Sequence, residues 1–311
     1  MGQHQELRTW EITELPPGWM AIRCQWVYAV KTKLDGEFEK AKARIVAQGF
    51  TQRPGMDYYD ITSPVVKFNS LHILLAIANT LDWKIEMMDV KGGYLHSMLE
   101  EEIYMRQPDG FNDRSGWVLK LWRALYGLKQ SGRTWHQHLR GLLLGLGFWQ
   151  SLANECVYIR QDKDSIEVIS VYVDDFGLFA DSKGGMIKLK GELNEKFQMT
   201  ERGEMKKILG IRIERDREQE TLTMSQEHYI DIILAWFNMS DAHPVSTLLH
   251  KTIKLNSSPD SMGPTTEVPY AKVISSLMYV ALSTRPDVAF AISANLLCHT
   301  ERSIGPQSNT Y

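Results

Sequence analysis

The chain has 311 residues, of which 43% are hydrophobic and 23% charged, the composition of a folded protein large enough for two or three subdomains. Its longest apolar runs fall far short of the roughly 20 residues that a membrane span needs, and the N-terminus lacks a signal-peptide core, so we expect an intracellular protein without a membrane partner. The net charge of −3 argues only mildly against a nucleic-acid binder, because such a protein needs one basic cleft and can be acidic elsewhere.

The first third of the chain predicts an antiparallel hairpin, a helix and a strand. Alternating apolar residues in CQWVYAV and the returning KAKARIVA predict a hairpin whose turn is Asp35-Gly36. Apolar residues spaced by three and four predict a helix over Ser70–Thr80, and the strand KIEMMDV follows over Lys84–Val90. Lys42 and Arg44 belong to a local excess of basic residues in the hairpin, a pattern that a solvated strand face also produces.

The middle of the chain predicts a long helix, a pair of strands and a second helix. The long helix covers about Gly132 to Leu146, and the strands EVISVYV and FGLFA are separated only by two aspartates. A Gly-Gly loop leads to an amphipathic helix near residues 186–197, and KKILGIRIER with TLTMS predicts another hairpin. Hairpins in place of regular strand–helix–strand repeats indicate an α+β protein with an antiparallel sheet.

The last third predicts three helices and a linker. Ser225 is expected to cap the helix EHYIDIILAWF. Residues 246–269 are rich in Ser, Thr, Pro and Gly and are expected to form a linker. Two helices should follow, one over Tyr270–Leu282 and a second that Pro286 opens.

The strongest chemical signal is the pair Asp174-Asp175, which joins two apolar strands. Aspartate is favoured in turns because its side chain bonds nearby backbone N–H groups, so the pair alone leaves a structural interpretation open. Two like charges held at a tight turn repel unless a cation lies between them. Oxygen ligands alone favour Mg²⁺ or Mn²⁺ over zinc.

Asp89 ends the predicted strand over Lys84–Val90, where a lone aspartate would ordinarily cap a turn. A strand-end aspartate together with an aspartate pair in a hairpin turn is the arrangement that two-metal phosphoryl-transfer sites use. We therefore predict a catalytic triad of Asp89, Asp174 and Asp175 with two ions, Mg²⁺ or Mn²⁺. If the chain were instead a structural or interaction protein with a buried Asp-Asp turn, Asp89 would lie far from Asp174 in space.

The sequence around these aspartates resembles one family closely. YVDD inside an apolar hairpin is similar to the catalytic turn of reverse transcriptases, and the flanking blocks resemble the Pol polyproteins of copia-type LTR retrotransposons. In chain order the blocks are KARIVAQGFTQRPGMDYYDITSPV, IEMMDVKGGYLHSMLEEEIYMRQPDGF, LWRALYGLKQSGRTWHQHL, ISVYVDDFGLFA, KILGIRI, LTMSQEHYI and PYAKVISSLMYVALSTRPDVAFAIS. The resemblance runs from about Trp10 to Ser293, nearly the whole chain.

The resemblance implies an α+β right-hand polymerase whose antiparallel palm sheet carries the YVDD hairpin. It implies an N-terminal extension over residues 1–20, interleaved fingers and palm over residues 21–220, a thumb over residues 221–258, and a helical connection over residues 259–311. The family's polyprotein also carries a protease, an integrase and a ribonuclease H. We expect this chain to be a fragment or degenerate copy with an intact triad, ending where a ribonuclease H would follow.

The resemblance also implies a role for each site residue. The metal ions would be bound by Asp89, Asp174, Asp175 and the backbone carbonyl of Val90. The incoming dNTP would meet Lys42, Arg44, Gly92, Gly93, Tyr94 and Tyr126. The primer and template would meet Tyr172, Gly127, Lys129, Gln130, Leu209 and Gly210.

Two of these roles have plain alternatives. Tyr94 would act as an aromatic gate against the ribose 2′-OH, which selects deoxyribonucleotides by steric exclusion. A tyrosine at this position is also typical of a hydrophobic core. Leu209-Gly210 would form a primer grip, in which a glycine lets the backbone approach the primer closely. The same glycine also fits a simple strand bulge.

The activity that the resemblance implies is RNA-directed DNA polymerisation, in which a primer 3′-OH attacks the α-phosphate of a dNTP and pyrophosphate leaves. The expected partners are an RNA template, a DNA or RNA primer and dNTP. A homodimer or association with other Pol products stays open, as does the choice between a cytoplasmic particle and the nucleus. The alternative is an inactive remnant that keeps the fold and binds nucleic acid, which a test of metal-dependent dNTP incorporation would distinguish.

Overall fold

The computed structural model describes residues 2–32, 37–113, 115–163, 165–245 and 270–293. The chain divides into two compact units, Met1–Glu204 and Met205–Tyr311, and each is described by itself. The predicted turn at Asp35-Gly36 and the predicted linker over residues 246–269 lie outside the described residues.

The first unit alternates short strands with helices. Its helices are α1 (Gly2–Glu6), α2 (Phe68–Thr80), α3 (Ser131–Gly145) and α4 (Lys183–Lys196). Its strands are β1 (Trp10–Thr13), β2 (Cys24–Thr32), β3 (Phe38–Ala47), β4 (Lys84–Val90), β5 (Met98–Arg106), β6 (Val118–Arg123), β7 (Trp149–Gln150), β8 (Val157–Gln161), β9 (Ile166–Tyr172), β10 (Asp175–Ala180) and β11 (Met199–Glu204). The three helices predicted in this part of the chain and the strand β4 are confirmed, with helix ends shifted by at most three residues.

The centre of the first unit is a six-stranded sheet in the order β11-β4-β10-β9-β8-β7, with every neighbouring pair antiparallel. β9 and β10 form a hairpin in which Tyr172 pairs with Asp175, so Val173 and Asp174 make its turn. β4 lies on the other side of β10, although about eighty residues separate them along the chain. The predicted α+β class, with an antiparallel sheet that carries the YVDD hairpin, is confirmed.

Apolar side chains hold the sheet between its helices. β10 is buried along almost its whole length, with Phe176 and Phe179 fully inaccessible. α2 buries Leu71, Leu75 and Ala78, and both α2 and α4 pack against strands of the sheet. Because these buried side chains are closely packed, they fix the backbone of β10. The position of the aspartate turn is fixed with it.

Two smaller sheets complete the first unit. β2 and β3 form a two-stranded arm, and β1, β6 and β5 form a three-stranded sheet in that order. A second apolar cluster joins the base of the arm to this sheet through Ile45, Met105, Leu121 and Leu125. The arm is also tied to the segment before α3, because the Ala47 N–H donates to the Tyr126 carbonyl over 2.8 Å.

In its described residues, the second unit contains a three-stranded sheet and three helical segments. Its elements are β12 (Lys207–Ile208), β13 (Ile211–Asp216), β14 (Thr221–Ser225), α5 (Glu227–Trp236), α6 (Tyr270–Ser283) and a 3-10 helix (Pro286–Val288) that continues as helix over residues 289–293. In the described part of the whole chain, no helix is both long and apolar enough to cross a membrane.

The predicted hairpin of KKILGIRIER with TLTMS is confirmed by the antiparallel pairing of β13 with β14. Leu209 and Gly210 both have positive φ and turn the chain between β12 and β13, so the first strand of that hairpin begins at Ile211. One local prediction in the second unit was wrong. Ser225 is not the N-cap of α5, because Gln226 occupies that position. Ser225 lies one residue before the N-cap. Its hydroxyl accepts a 3.2 Å hydrogen bond from the Glu227 N–H and so satisfies one of the donors at the start of α5.

Candidate active site

The turn that presents the aspartates is fixed from two sides. Val173 has a φ of +55°, a conformation that a β-branched residue rarely adopts. The indole N–H of Trp135 on α3 donates to the Val173 carbonyl over 2.8 Å, and the Val90 N–H of β4 donates to the Asp174 carbonyl over 2.9 Å. These two hydrogen bonds hold the turn in its strained conformation. Strained backbone held in this way is common at functional sites.

The strand register brings the predicted triad together. Asp89 and Asp175 are direct partners across the β4–β10 ladder, and Asp174 precedes Asp175 in the turn. Asp89 and Asp174 are therefore neighbours, which excludes the hypothesis that they lie far apart. Like charges directly opposite each other in an antiparallel pair repel, so this placement costs folding free energy.

An arginine that the sequence did not single out contacts the two opposed carboxylates. Arg202 on β11 places its Nη2 3.0 Å from Asp89 Oδ1 and 3.6 Å from Asp175 Oδ1. In sequence it is one basic residue in the polar run MTERGE, with no periodic pattern that points to a site. The only local signal is Gly203 after it, which is typical of a bulge.

Asp174 is hydrogen-bonded through one carboxylate oxygen and buried at the other. Its Oδ2 accepts a 2.5 Å hydrogen bond from the Tyr126 hydroxyl, whereas its Oδ1 is buried without a hydrogen-bond partner. Gly93 lies directly beside this oxygen, and a Cβ added at Gly93 would be 2.3 Å from it. Burial raises the pKa of Asp174, and the negative charges of Asp89 and Asp175 raise it further.

The donor set fits a hard divalent cation in its chemistry. All three side chains offer carboxylate oxygens, and a buried oxygen without a hydrogen-bond partner, such as Asp174 Oδ1, is one that a bound cation would satisfy. Val90 ends β4 in a buried position next to Asp89. Within the described ranges, no three His, Cys, Asp or Glu side chains already converge on one metal position.

A pair of tyrosines and an arginine adjoin Asp174. The rings of Tyr94 and Tyr126 are tilted by 55° with centroids 4.7 Å apart, and the Arg44 guanidinium lies 5.3 Å from the centre of the Tyr126 ring. Burial raises the pKa of Tyr94 and of Tyr126, so both hydroxyls keep their protons at neutral pH. Arg44 and Lys42 occupy alternate positions of β3 and therefore share one face of the arm.

Gly127 is required by a close approach of two backbone segments. Its φ is +92°, and an added Cβ would be 2.0 Å from the Ala47 carbonyl oxygen. No other residue fits there, since the conformation and the space both exclude a side chain. Gly127 thus keeps Tyr126 against the base of the arm. Gly92, just before Gly93, also has a positive φ, of 67°.

The remaining residues predicted to contact primer or template in the first unit differ in exposure. Gln130 is buried, and its amide donates to the Asp57 carbonyl over 2.8 Å and accepts from the Gln52 side chain over 3.0 Å. Lys129 is exposed, with its backbone N–H bonded to the same Gln52 side chain. Tyr172 is partly exposed at the end of β9, across from Asp175.

The predicted primer-grip pair lies in the second unit. Leu209 and Gly210, with φ of 50° and 77°, form the turn between β12 and β13, so Gly210 is a turn residue rather than a strand bulge. The Tyr279 hydroxyl of α6 donates to the Leu209 carbonyl, and an added Cβ at Gly210 would be 2.9 Å from that hydroxyl oxygen. Sequence reasoning missed Tyr279, because seventy residues separate it from its partner.

The antiparallel sheet thus sets a strand-end aspartate opposite an aspartate pair in a hairpin turn. The family model described as "Reverse transcriptase (RNA-dependent DNA polymerase)" matches residues 7–251. The chain belongs to this family, and its relatives place it among the copia-type transposon Pol polyproteins, as the sequence predicted.

Two plant relatives illustrate the match. The chain is 39% identical over 299 residues to the "Retrovirus-related Pol polyprotein from transposon TNT 1-94" of Nicotiana tabacum, covering 93% of this chain and 22% of the relative. It is 37% identical over 289 residues to the corresponding polyprotein "from transposon RE1" of Arabidopsis thaliana, covering 92% and 19%. The chain therefore spans about a fifth of the length of these curated relatives.

Among solved structures, the chain is similar to a chain described as "Structure of the foamy viral protease-reverse transcriptase dRH in complex with ds DNA". The TM-score is 0.43 at 14% sequence identity. The match covers 89% of this chain and 38% of the other.

Proposed function

We propose that the chain is an RNA-directed DNA polymerase that extends a DNA or RNA primer on an RNA template with dNTP. In the proposed reaction the primer 3′-OH attacks the α-phosphate of the dNTP in line, and pyrophosphate leaves. The observation that carries the proposal is the opposition of Asp89 and Asp175 across one ladder, with the buried, unbonded Oδ1 of Asp174 beside them.

Asp89, Asp174, Asp175 and the Val90 carbonyl would hold two divalent ions, Mg²⁺ or Mn²⁺. Such ions, when bound, lower the pKa of the primer hydroxyl and neutralise the charge of the triphosphate. The Tyr126 hydroxyl holds one oxygen of Asp174, which leaves the other oxygen available as a ligand. Tyr126 thereby positions the carboxylate on which the chemistry depends.

The remaining first-unit residues would bind the substrates around this centre. Arg44 adjoins the Tyr126 ring, so its guanidinium can meet a triphosphate near Asp174, with Lys42 on the same face of the arm. The backbone of Gly92 and Gly93 would lie along the dNTP. The proposed primer and template contacts are Tyr172, Gly127, Lys129 and Gln130, the last through its backbone since its side chain is engaged.

In the second unit, the Leu209-Gly210 turn would grip the primer, held in shape by Tyr279. The division into fingers, palm, thumb and connection remains part of the proposal, as does association with a second copy or with other Pol products. We propose a template–primer duplex as the ligand of this chain.

The test of the proposal is primer extension by the purified chain on poly(rA)/oligo(dT) with Mg²⁺ or Mn²⁺. We expect metal-dependent dNTP incorporation by the wild type and none by the Asp174→Asn/Asp175→Asn variant. Circular dichroism should show the same fold for both proteins, and fluorescence anisotropy should show that both bind the template–primer. A folded wild-type chain that binds the template–primer without extending it would instead be an inactive remnant.

Tyr94→Val tests the proposed gate against ribonucleotides. Tyr94 packs on Tyr126 next to Asp174, so a smaller side chain opens space where a ribose 2′-OH would lie. We expect the ratio of ribonucleotide to deoxyribonucleotide incorporation to rise by about tenfold or more, because a steric barrier is lost rather than a weak contact. The measurement is kcat/KM for UTP and dTTP on the same template–primer.

Tyr126→Phe is the matched control for the gate, since it keeps a ring beside Tyr94 and should leave the ratio unchanged. If Tyr94 were only a core aromatic, Tyr94→Val would lower the melting temperature and leave the discrimination between UTP and dTTP as it is in the wild type.

A further inference from the structure

A β-bulge in β11 directs an arginine at the candidate metal ligands. Glu201 pairs with Met88 of β4, and Gly203 pairs with Met87, so Arg202 is the extra residue between two consecutive partners. Gly203 has a φ of +70°, the conformation that such a bulge needs. Bulges occur next to active sites because they re-aim a side chain that a regular strand would point elsewhere.

The re-aimed side chain lies between two carboxylates that repel each other. Asp89 and Asp175 face each other across the β4–β10 ladder, and one nitrogen of Arg202 lies 3.0 Å from the first and 3.6 Å from the second. The guanidinium thus offsets the repulsion between two negative charges placed directly opposite. Arg202 itself is 45% exposed, so its long stem can carry the guanidinium into solvent without disturbing the core.

We propose that Arg202 is a built-in counterion that competes with divalent ions for Asp89 and Asp175 and so sets the ion affinity of the site. The inference rests on the proposed function, since it concerns the same carboxylates. A hydrogen-bonded guanidinium occupies lone pairs that a metal ion needs, and two cations at one oxygen repel. Ion binding therefore requires Arg202 to withdraw from Asp89, and the free energy of breaking its contacts weakens the binding.

The alternative is that Arg202 only stabilises the sheet. The chain offers a matched comparison in Lys190 of α4, which bridges Glu86 and Glu201 at 2.9 Å and 2.7 Å. These carboxylates belong to the same two strands, β4 and β11, but neither is part of the triad. Removal of Lys190 therefore perturbs the same strands and the same net charge without freeing a metal ligand.

The experiment is a Mn²⁺ titration followed by electron paramagnetic resonance, on the full chain without substrates. Wild type, Arg202→Gln, Arg202→Lys and Lys190→Gln are compared, together with the Asp174→Asn/Asp175→Asn variant to identify binding at the triad. We expect Arg202→Gln to bind Mn²⁺ about tenfold more tightly than the wild type, and Arg202→Lys to gain less because it keeps the charge. Lys190→Gln should bind within about twofold of the wild type, as expected for a remote, partly exposed ion pair.

Two outcomes overturn the inference in different ways. In the first, Mn²⁺ binding depends on the triad, but Arg202→Gln leaves the affinity unchanged or weakens it. Arg202 then only supports the carboxylates, and the proposed function stands. Wild type and Arg202→Gln both without triad-dependent binding would remove the metal site of the proposed function and the inference with it. If Arg202→Gln fails to fold by circular dichroism, Arg202→Lys decides, since equal or weaker Mn²⁺ binding by that variant overturns the inference.

Discussion

Gly93→Ala should lower primer extension by about two orders of magnitude or more, the scale expected when a reacting group is displaced by about 1 Å. The added Cβ would be 2.3 Å from Asp174 Oδ1 and 3.2 Å from the nearest ring atom of Trp135. Neither neighbour can yield easily. Asp174 is held by the Tyr126 hydroxyl, and Trp135 is held by its hydrogen bond to the Val173 carbonyl. The methyl group must therefore displace the carboxylate oxygen proposed as a metal ligand.

The same change should also destabilise the chain by about 1–3 kcal/mol, the usual cost of overpacking a filled site. Gly93 has no positive φ, so the cost comes from contact and not from backbone conformation. The measurements are kcat for primer extension and the free energy of unfolding in urea, on protein shown to be folded. Wild-type extension by Gly93→Ala would mean that Asp174 Oδ1 is not needed where the structure places it.

Gly141→Ala is the matched control. Gly141 lies within α3, and nothing comes within 4 Å of a Cβ added there. This replacement should raise stability by about 0.5–1 kcal/mol, because glycine in a helix interior loses more conformational entropy than alanine does. It should leave extension unchanged, so a loss of activity in Gly93→Ala alone would be specific to the site.

The parts of this fold that the sequence predicts are those set by local periodicity. α2 follows from the spacing of Leu71, Leu75 and Ala78, which is the face that the structure buries. The hairpin β9–β10 follows from two apolar runs joined by two polar residues. The three aspartates stand out for a related reason, since each lies at the end of an apolar strand. One aspartate at such a place is ordinary in a turn, and the signal is the combination of a strand-end aspartate with an aspartate pair in a hairpin turn.

The parts that the sequence could not predict depend on which distant segments meet. Arg202 reaches Asp89 because β11 pairs with β4 across a bulge, and nothing in MTERGE specifies that partner or the offset. Tyr126 reaches Asp174 from forty-eight residues away. The turn at Leu209-Gly210 lies inside a run whose apolar pattern is that of a single strand. Only the positive φ of these two residues interrupts the strand.

Asp174→Asn should abolish primer extension and at the same time stabilise the chain. The loss of extension follows because an amide removes a charged ligand from the proposed metal site. The gain in stability follows because the folded chain buries Asp174 beside Asp89 and Asp175, and both effects disfavour its charged form. Active-site residues commonly carry such a cost, which function maintains against stability.

The pH dependence distinguishes this explanation from a general effect of the substitution. The folded pKa of Asp174 is raised above its ordinary value of 3.8, so the folded chain binds this proton more tightly than the unfolded chain does. By linkage, the wild type loses stability as the pH rises from about 3.8 through the folded pKa, and Asp174→Asn has no such loss. The stability difference between variant and wild type should therefore grow over this range and then level off.

The measurement is urea unfolding of both proteins in the presence of a chelator at a series of pH values, since titrating groups that do not interact with Asp174 cancel in the difference. Asp175→Asn is the comparison. It should gain less stability than Asp174→Asn, because it also removes the charge that lies 3.6 Å from the Arg202 guanidinium. A stability difference that stays constant with pH would mean that the folded chain does not disfavour the ionised form of Asp174. In that case Asp174 would ionise in the folded chain as readily as in the unfolded chain, and the electrostatic reason to expect a cation beside its Oδ1 would be lost.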